Sequence, residues 1–351
     1  MYKYLIKPFL SMMGPETAKS FALSGLKVMS NLRIYRTLCR MTHSAHHKSL
    51  QRELFGLTFQ NPVGLSAGVD QNGDYYDVLS DLGFGFMEIG SLTSAEDKGY
   101  QKPRIFRLAK DKAFISRTGI PNKGVRYAIE NLQNISKRNI IDRKKNIIVA
   151  SLGQHSSSTK DAEIIQDFEK SFSLLYDFVD MFTINISCYD SNNVMPLLNA
   201  SSLAEIVDPL LSLRRCYERY KPIVVKVSVD VSKEELDKIL DYCRMSGIDG
   251  IIAGGFARIQ GEFNTRDRRI ARIGSGGLSG APVYERTLNM VKYISEQTNK
   301  RFPIIASGGI MTPEQASEMM DAGASLIQLH SALYYEGPSI VKKILKYLSK
   351  S

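Results

Sequence analysis

The residues best suited to chemistry sit at the ends of apolar runs. Lys226 interrupts Ile223-Val224-Val225-Lys226-Val227, and an ammonium in such a run needs an anionic partner inside the protein. That partner is either a bound anion or a neighbouring carboxylate in a structural ion pair. Asn185 closes another apolar run and carries both a donor and an acceptor, able to grip a planar amide-bearing ring or to tie down its own loop. Cys188 follows three residues later. A thiolate acts as nucleophile or general base where a cation or a helix terminus lowers its pKa; without such help a buried cysteine is a small hydrophobe. Ser187 is the alternative base, although a hydroxyl needs more assistance to take a proton.

A second set of residues points to an anion. Pro303-Ile304-Ile305-Ala306 breaks into Ser307-Gly308-Gly309, restarts at the helix opening Thr312-Pro313-Glu314, and returns through 325–329 to His330-Ser331. This is one βαβ unit with a glycine pair where the strand ends. Upstream, GSGGLSGAPV (274–283) carries a similar pair, Gly276-Gly277. Glycines there let backbone N–H groups close on an anion, and a short helix after His330-Ser331 adds its N-terminal dipole, so phosphate is the natural guest. Tight turns alone would explain one such pair; three elements on successive units favour the phosphate.

These residues need a scaffold that gathers strand ends. Apolar runs at 62–66, 86–89, 146–152, 181–186, 223–228, 250–253, 303–306 and 326–329 alternate with helical patterns, which predicts a (β/α)8 TIM barrel. Active sites of that fold lie just past the strands. There the sequence has Ala67-Gly68, Gly90-Ser91, Ser151, Asn185 to Cys188, Lys226, Gly254-Gly255, Gly308-Gly309 and His330-Ser331. Residues 1–50 read instead as a small extension of amphipathic helices, leaving 51–351 for the barrel. The helices either pack on the barrel as a lid or rest on a membrane and admit an apolar substrate. His43, His46 and His47 lack a carboxylate or cysteine at ligand spacing, so no metal is expected.

Composition narrows the classes. The chain has 351 residues, and 46 Lys plus Arg against 36 Asp plus Glu give a net charge of +10. The basic residues are scattered, which disfavours nucleic acid and leaves anionic small ligands or lipid. Cys39, Cys188, Cys216 and Cys243 show no CxxC spacing, as suits a reducing compartment. No apolar run reaches the roughly 20 residues of a membrane span. The expectation is a cytoplasmic protein, with peripheral contact to the inner face of the cell membrane open to residues 1–40.

Together these stretches resemble the dihydroorotate dehydrogenases, more closely the membrane-associated, quinone-dependent class 2 branch. The likeness rests on the two-helix extension, NPVGLSAGVD (61–70), GFGFMEIGS (83–91), KPRIFRL (102–108), INIS (184–187), GGLSG (276–280) and the terminal Gly-Gly and His-Ser elements. It implies FMN in a barrel, its phosphate held by Gly277, Gly308, Gly309, His330 and Ser331. The ring would lie near Ala67, Gly68, Ser91 and Lys226, with Ser151 and Gly254 at neighbouring strand ends. The N-terminal helices would form a quinone entrance. Substrate contacts would fall to Gln71, Ser116, Arg117, Thr118, Gly119, Asn185, Asp190 and Gly255.

The substrate side departs from the family pattern. The Ala-Ala-Gly-x-Asp-Lys motif ends here in Gln71; Asn-Arg-Met-Gly-Phe-Asn-Asn becomes SRTGIPN (116–122); the third-strand asparagine is Ser151. Asn-Ile-Ser-Ser-Pro-Asn-Thr becomes NISCYDS (185–191), which puts Cys188 where class 2 has its serine base, as class 1 does, and Asp190 where an asparagine stands. Thr-Asn-Thr becomes Gly254-Gly255-Phe256. Each lost partner of a buried polar substrate costs about 1 to 3 kcal/mol. The expectation is therefore an FMN oxidoreductase that introduces a C=C bond with Cys188 as base, acting as a divergent paralogue on a small molecule other than dihydroorotate. Its alternatives are a true quinone-linked dihydroorotate dehydrogenase of pyrimidine biosynthesis, a catalytically silent flavin-binding barrel, or a non-redox phosphate-binding barrel.

Overall fold

The computed structural model describes residues 2–31, 39, 48–137, 147–158, 160–187 and 197–350. Cys188 and Asp190 lie outside the described residues, as do His43, His46 and His47. Eight parallel strands close into a barrel: β1 Val63–Leu65, β2 Phe86–Leu92, β3 Ile147–Leu152, β4 Met181–Asn185, β5 Ile223–Val227, β6 Gly250–Gly254, β7 Ile304–Ser307 and β8 Leu326–Leu329. Each pairs with its neighbours in sequence, and β8 closes on β1 through Ile327, Gln328 and Leu329. All eight predicted runs are barrel strands, and the (β/α)8 architecture is as expected.

Period-two alternation sorts the strand residues into two cores. Val63, Leu65, Met87, Ile89, Ile148, Ala150, Phe182, Ile184, Val225, Ile251, Ala306 and Ile327 face outward and bury against the surrounding helices. Phe86, Val149, Met181, Val224, Ile252, Ile305 and Leu326 face inward and fill the N-terminal end of the barrel. The short hairpin Arg52–Leu54 and Leu57–Phe59 closes that end, with Phe59 edge-on to Phe86 at 5.4 Å between ring centroids. The Phe86 ring fits because residue 64 is glycine: a Cβ there would lie 2.2 Å from it.

At the opposite end, a three-stranded antiparallel sheet, Ile105–Leu108, Ala113–Ser116 and Gly277–Gly280, stands over the strand C-termini. Two helices cover it: α1, Lys7–Met12, and α2, Pro15–Ser30, with Pro15 at the first turn and Glu16 at its positive end. Polar contacts seat α2 on the loop after β1. Lys27 donates to Asp74 O in that loop at 2.7 Å, while Glu16 ties the helix to the sheet by pairing at 2.9 Å with Arg104, just before the strand Ile105–Leu108. The predicted helix start at Thr312 is a capping box with Gln315, opening Pro313–Asp321. Among the described residues no helix is long and apolar enough to cross a membrane.

Candidate active site

Two residues beyond the apolar barrel floor, the same alternation points polar side chains inward: Ser66, Glu88, Ser151, Lys226, Ser307 and Gln328, with Asn185 one inward position further along β4, all buried. Most of them line a cavity at the strand C-termini, together with Ala67, Gly68, Ser91, Gly255, Gly308, Gly309, His330 and Ser331. The three-stranded sheet supplies a further wall through Ser116 and Ser279.

Hydrogen bonds within the protein fix several of these side chains. Glu88 accepts from the Ala67 backbone N–H at 3.0 Å and from Gln328 Nε2 at 2.9 Å, which orients the Gln328 amide. Gln328 Oε1 is buried with no partner among the described residues. On the other side a chain of contacts runs from Ser151 to Ser91 (2.8 Å), from Ser91 to Asn185 Nδ2 (2.9 Å), and from Asn185 Oδ1 to the Ser187 hydroxyl (2.9 Å). Of the two tasks open to Asn185, tying down its own loop is visible.

Among the described residues Lys226 reaches only Ser66 Oγ, at 3.5 Å, the outer limit of a hydrogen bond. Among the described residues it has no carboxylate partner, so the structural ion pair is not seen and its ammonium retains bonding capacity. A second ammonium enters from outside the barrel. Lys19 of α2 donates to Gly68 O at 2.6 Å and to Gln71 Oε1 at 3.4 Å. Removal from solvent pulls its pKa down to about 8, against the pull of Asp70 and Glu16. Its side chain keeps some accessible surface because the cavities beside it admit solvent.

His330 presents its ring to the same space. Its interior position first, then the charges of Lys19 and Lys226, push its pKa down to about 4. The imidazole is therefore neutral at physiological pH. Asp70 shapes the loop beneath by accepting from the backbone of Asp74 and Tyr75, both at 2.9 Å, and burial lifts its carboxyl to about 6.

The glycine pair after β7 lies flat against the helix Tyr284–Gln297: at Gly309, φ is +73° and a Cβ would come 2.4 Å from Tyr284 N. Among the described residues the N–H groups of Gly308 and Gly309 meet no acceptor. The predicted short helix follows at Ser331–Tyr335, with Ser331 buried at its first position.

Beside this polar cavity lies an apolar one of about 400 Å³, between α1, α2 and the three-stranded sheet. Leu10, Ala22, Leu26, Phe114 and Tyr334 are among its walls, and the half-exposed Phe9 and Phe21 stand at its rim. The two cavities share a wall made of Lys19, Ile105, Ser116, Phe256, Ser279, His330 and Ser331.

Most of the sequence-predicted residues meet at the polar cavity: Ala67, Gly68, Gln71, Ser91, Ser116, Thr118, Gly119, Asn185, Ser187, Lys226, Gly255, Gly308, Gly309, His330 and Ser331. Four stand off it. Ser151 sits behind Ser91. Gly254 gives room for a close strand approach, its Cβ position being 2.1 Å from Ser307 O. Gly277 packs on Phe256, and Gly280 takes its place at the wall. Arg117 turns to Ile273 O at 2.8 Å. Residues not anticipated are Lys19, Ser66, Ser279, Ser307 and Gln328 at the cavity, with Glu88 behind them. A charged or amide residue inside an apolar strand, the cue that singled out Lys226, also marks Glu88 and Gln328.

Comparison with known proteins adds to this geometry. The family profile described as Dihydroorotate dehydrogenase matches residues 49–351. A protein of Christiangramia forsetii named dihydroorotate dehydrogenase (quinone) is 34% identical over 344 residues, covering 98% of this chain and 97% of that one. One of the same name from Coxiella burnetii is 35% identical, covering 100% and 97%. Among solved structures, the DHODH of Eimeria tenella in complex with ferulenol superposes with a TM-score of 0.80 at 26% identity, over 90% of this chain and 89% of that chain.

Proposed function

Because the chain belongs to the dihydroorotate dehydrogenase family, oxidoreductases acting on CH–CH bonds, we propose that it oxidises dihydroorotate with FMN in the polar cavity and reduces a lipophilic quinone in the apolar one. The observation that carries this reading is the wall common to the two cavities. A group seated against it touches both, so electrons taken from a polar substrate have a short path to an apolar acceptor.

The residues present fit FMN. Gly308, Gly309 and Ser331 offer backbone and hydroxyl donors for a phosphate; Gln328 Oε1 offers an unused acceptor and Lys226 an unpaired ammonium for a ring with donors and partial negative charge. At Gly255 a Cβ would lie 3.3 Å from Lys226 Cε, so the missing side chain keeps the space over that lysine open. Bound there, FMN supplies reversible two-electron acceptance that no side chain offers.

The protein's own part is orientation and proton removal. Lys226 and Lys19 hold negative charge, Asn185 fixes the loop that follows β4, and Cys188 in that loop takes the proton from the substrate carbon. Residues 51–351 form the FMN-binding unit and 1–50 the acceptor-side extension. Exposed Tyr4, Leu5, Ile6, Phe9 and Met12 give that extension an apolar outer face, which supports peripheral membrane contact where a lipophilic quinone is found.

The altered substrate motifs led to the expectation of a different small molecule. The comparisons do not favour it: relatives matched nearly end to end bear the quinone-linked dihydroorotate dehydrogenase name, so dihydroorotate is the substrate proposed. Anaerobic addition of dihydroorotate to the purified yellow protein tests this. Bleaching, reversed by a short-chain ubiquinone, is the expected result; a flavin that stays oxidised in excess dihydroorotate rejects it.

A further inference from the structure

Two ammonium groups flank the polar cavity, and they come from different parts of the chain. Lys226 rises from β5, while Lys19 descends from α2 onto the loop after β1, the strand across the barrel from β5. Both acceptors of Lys19, Gly68 O and Gln71 Oε1, are uncharged. The acidic groups nearby are engaged elsewhere: Glu16 pairs with Arg104, and Asp70 accepts two backbone N–H groups. An ammonium drawn out of water with neutral partners is poised to answer negative charge in a guest.

We propose that Lys19 is a charge-supplying residue of the reaction site: α2 lends the barrel the positive charge on the β1 side, where the barrel's own loop offers only the neutral amide of Gln71. There it stabilises the negative charge that gathers in the polar cavity when substrate is oxidised. Lys19 lines that cavity with three N–H donors, of which Gly68 and Gln71 take two, and the neutral His330 beside it brings no competing cation. The N-terminal layer thus serves the substrate half-reaction as well as the acceptor. The inference rests on the flavoenzyme reading above, which fails separately if the wild-type chain holds no FMN.

Four forms of the FMN-loaded full chain test it: wild type, Lys19→Met, Lys19→Arg and Lys19→Met/Gln71→Lys. Two quantities are read, the flavin midpoint potential by spectroelectrochemical titration and the affinity for orotate from its perturbation of the flavin spectrum. Lys19→Met should disfavour the reduced flavin about tenfold, roughly 30 mV for two electrons, or weaken orotate about tenfold. The first result places the stabilised charge on the cofactor and the second on the product; both support the proposal. Lys19→Arg should stay near wild type, and Gln71→Lys should recover most of the loss by restoring the charge from the barrel side. Unchanged potential and orotate affinity in Lys19→Met would overturn the proposal. So would a loss that neither Lys19→Arg nor Gln71→Lys repairs, which would make Lys19 a packing residue.

Discussion

The Ser187 hydroxyl donates to Asn185 Oδ1 at 2.9 Å, and the Ser187 backbone N–H reaches the same oxygen at 3.1 Å. A hydroxyl committed in this way keeps its proton pointed at an amide and has no base bonded to it among the described residues, so it is poorly suited to remove a proton from a substrate. In the function proposed above, that task falls to the next residue, Cys188.

Cys188→Ala should therefore slow flavin reduction by dihydroorotate about 10²-fold or more, with FMN retained, whereas Ser187→Ala should have a smaller effect through loop order. Stopped-flow absorbance measures both. An unchanged rate in Cys188→Ala together with a collapsed rate in Ser187→Ala would reverse the two roles.

The phosphate site should be sensitive to charge at Ser331, which is buried at the start of its helix and lines the polar cavity. Ser331→Asp sets a carboxylate against the phosphate and should give a protein purified without yellow colour; Ser331→Ala should keep most of its FMN. Full flavin occupancy in the aspartate variant would move the phosphate elsewhere.

Filling the apolar cavity should separate the two half-reactions. Ala22 of α2 faces that cavity without lining the polar one. Ala22→Trp should raise the KM for a lipophilic quinone about tenfold while leaving flavin reduction by substrate within about twofold. Equal slowing of both halves would show that the cavity is not the acceptor's route.

His330 makes an acid-sensitive element. In the unfolded chain its imidazole binds a proton near pH 6.5, in the folded chain only near pH 4, so protons favour unfolding between these values. Its contribution to stability is complete above about pH 6.5 and is lost as pH falls toward about 4. The charges facing it are Lys19 from α2 and Lys226 from β5, both cations, which reinforces the sign. His330→Gln should flatten the fall in Tm between pH 6.5 and 4.5, and an unaltered slope would contradict the assignment.

The barrel was legible because each strand is a compact apolar run ended by glycine or a polar residue, and alternation within the run told inside from outside. Lys226 stood out for the same reason. Lys19 did not, because in an amphipathic helix a lysine at three-to-four spacing reads as solvated surface; only the seating of α2 on the loop after β1 turns it inward. Gly254 and Gly277 were assigned to the ligand because glycines at strand ends serve two ends alike. At these two a neighbouring carbonyl or a phenylalanine ring occupies the place a Cβ would take, so close packing by itself calls for glycine. Arg117 was assigned from the motif around it, and nothing local showed that its guanidinium would turn to Ile273 O.

The hairpin that plugs the barrel with Phe59 also decides traffic. With that end sealed by aromatic rings, a molecule in the polar cavity has no forward exit through the barrel axis and must depart on the side from which it came. Arrival and departure then share the face of the barrel at the strand C-termini. In the function proposed above, direction would come from the electrons, drained sideways through the shared wall, and a compound lodged on that face would hold product in as firmly as it keeps substrate out.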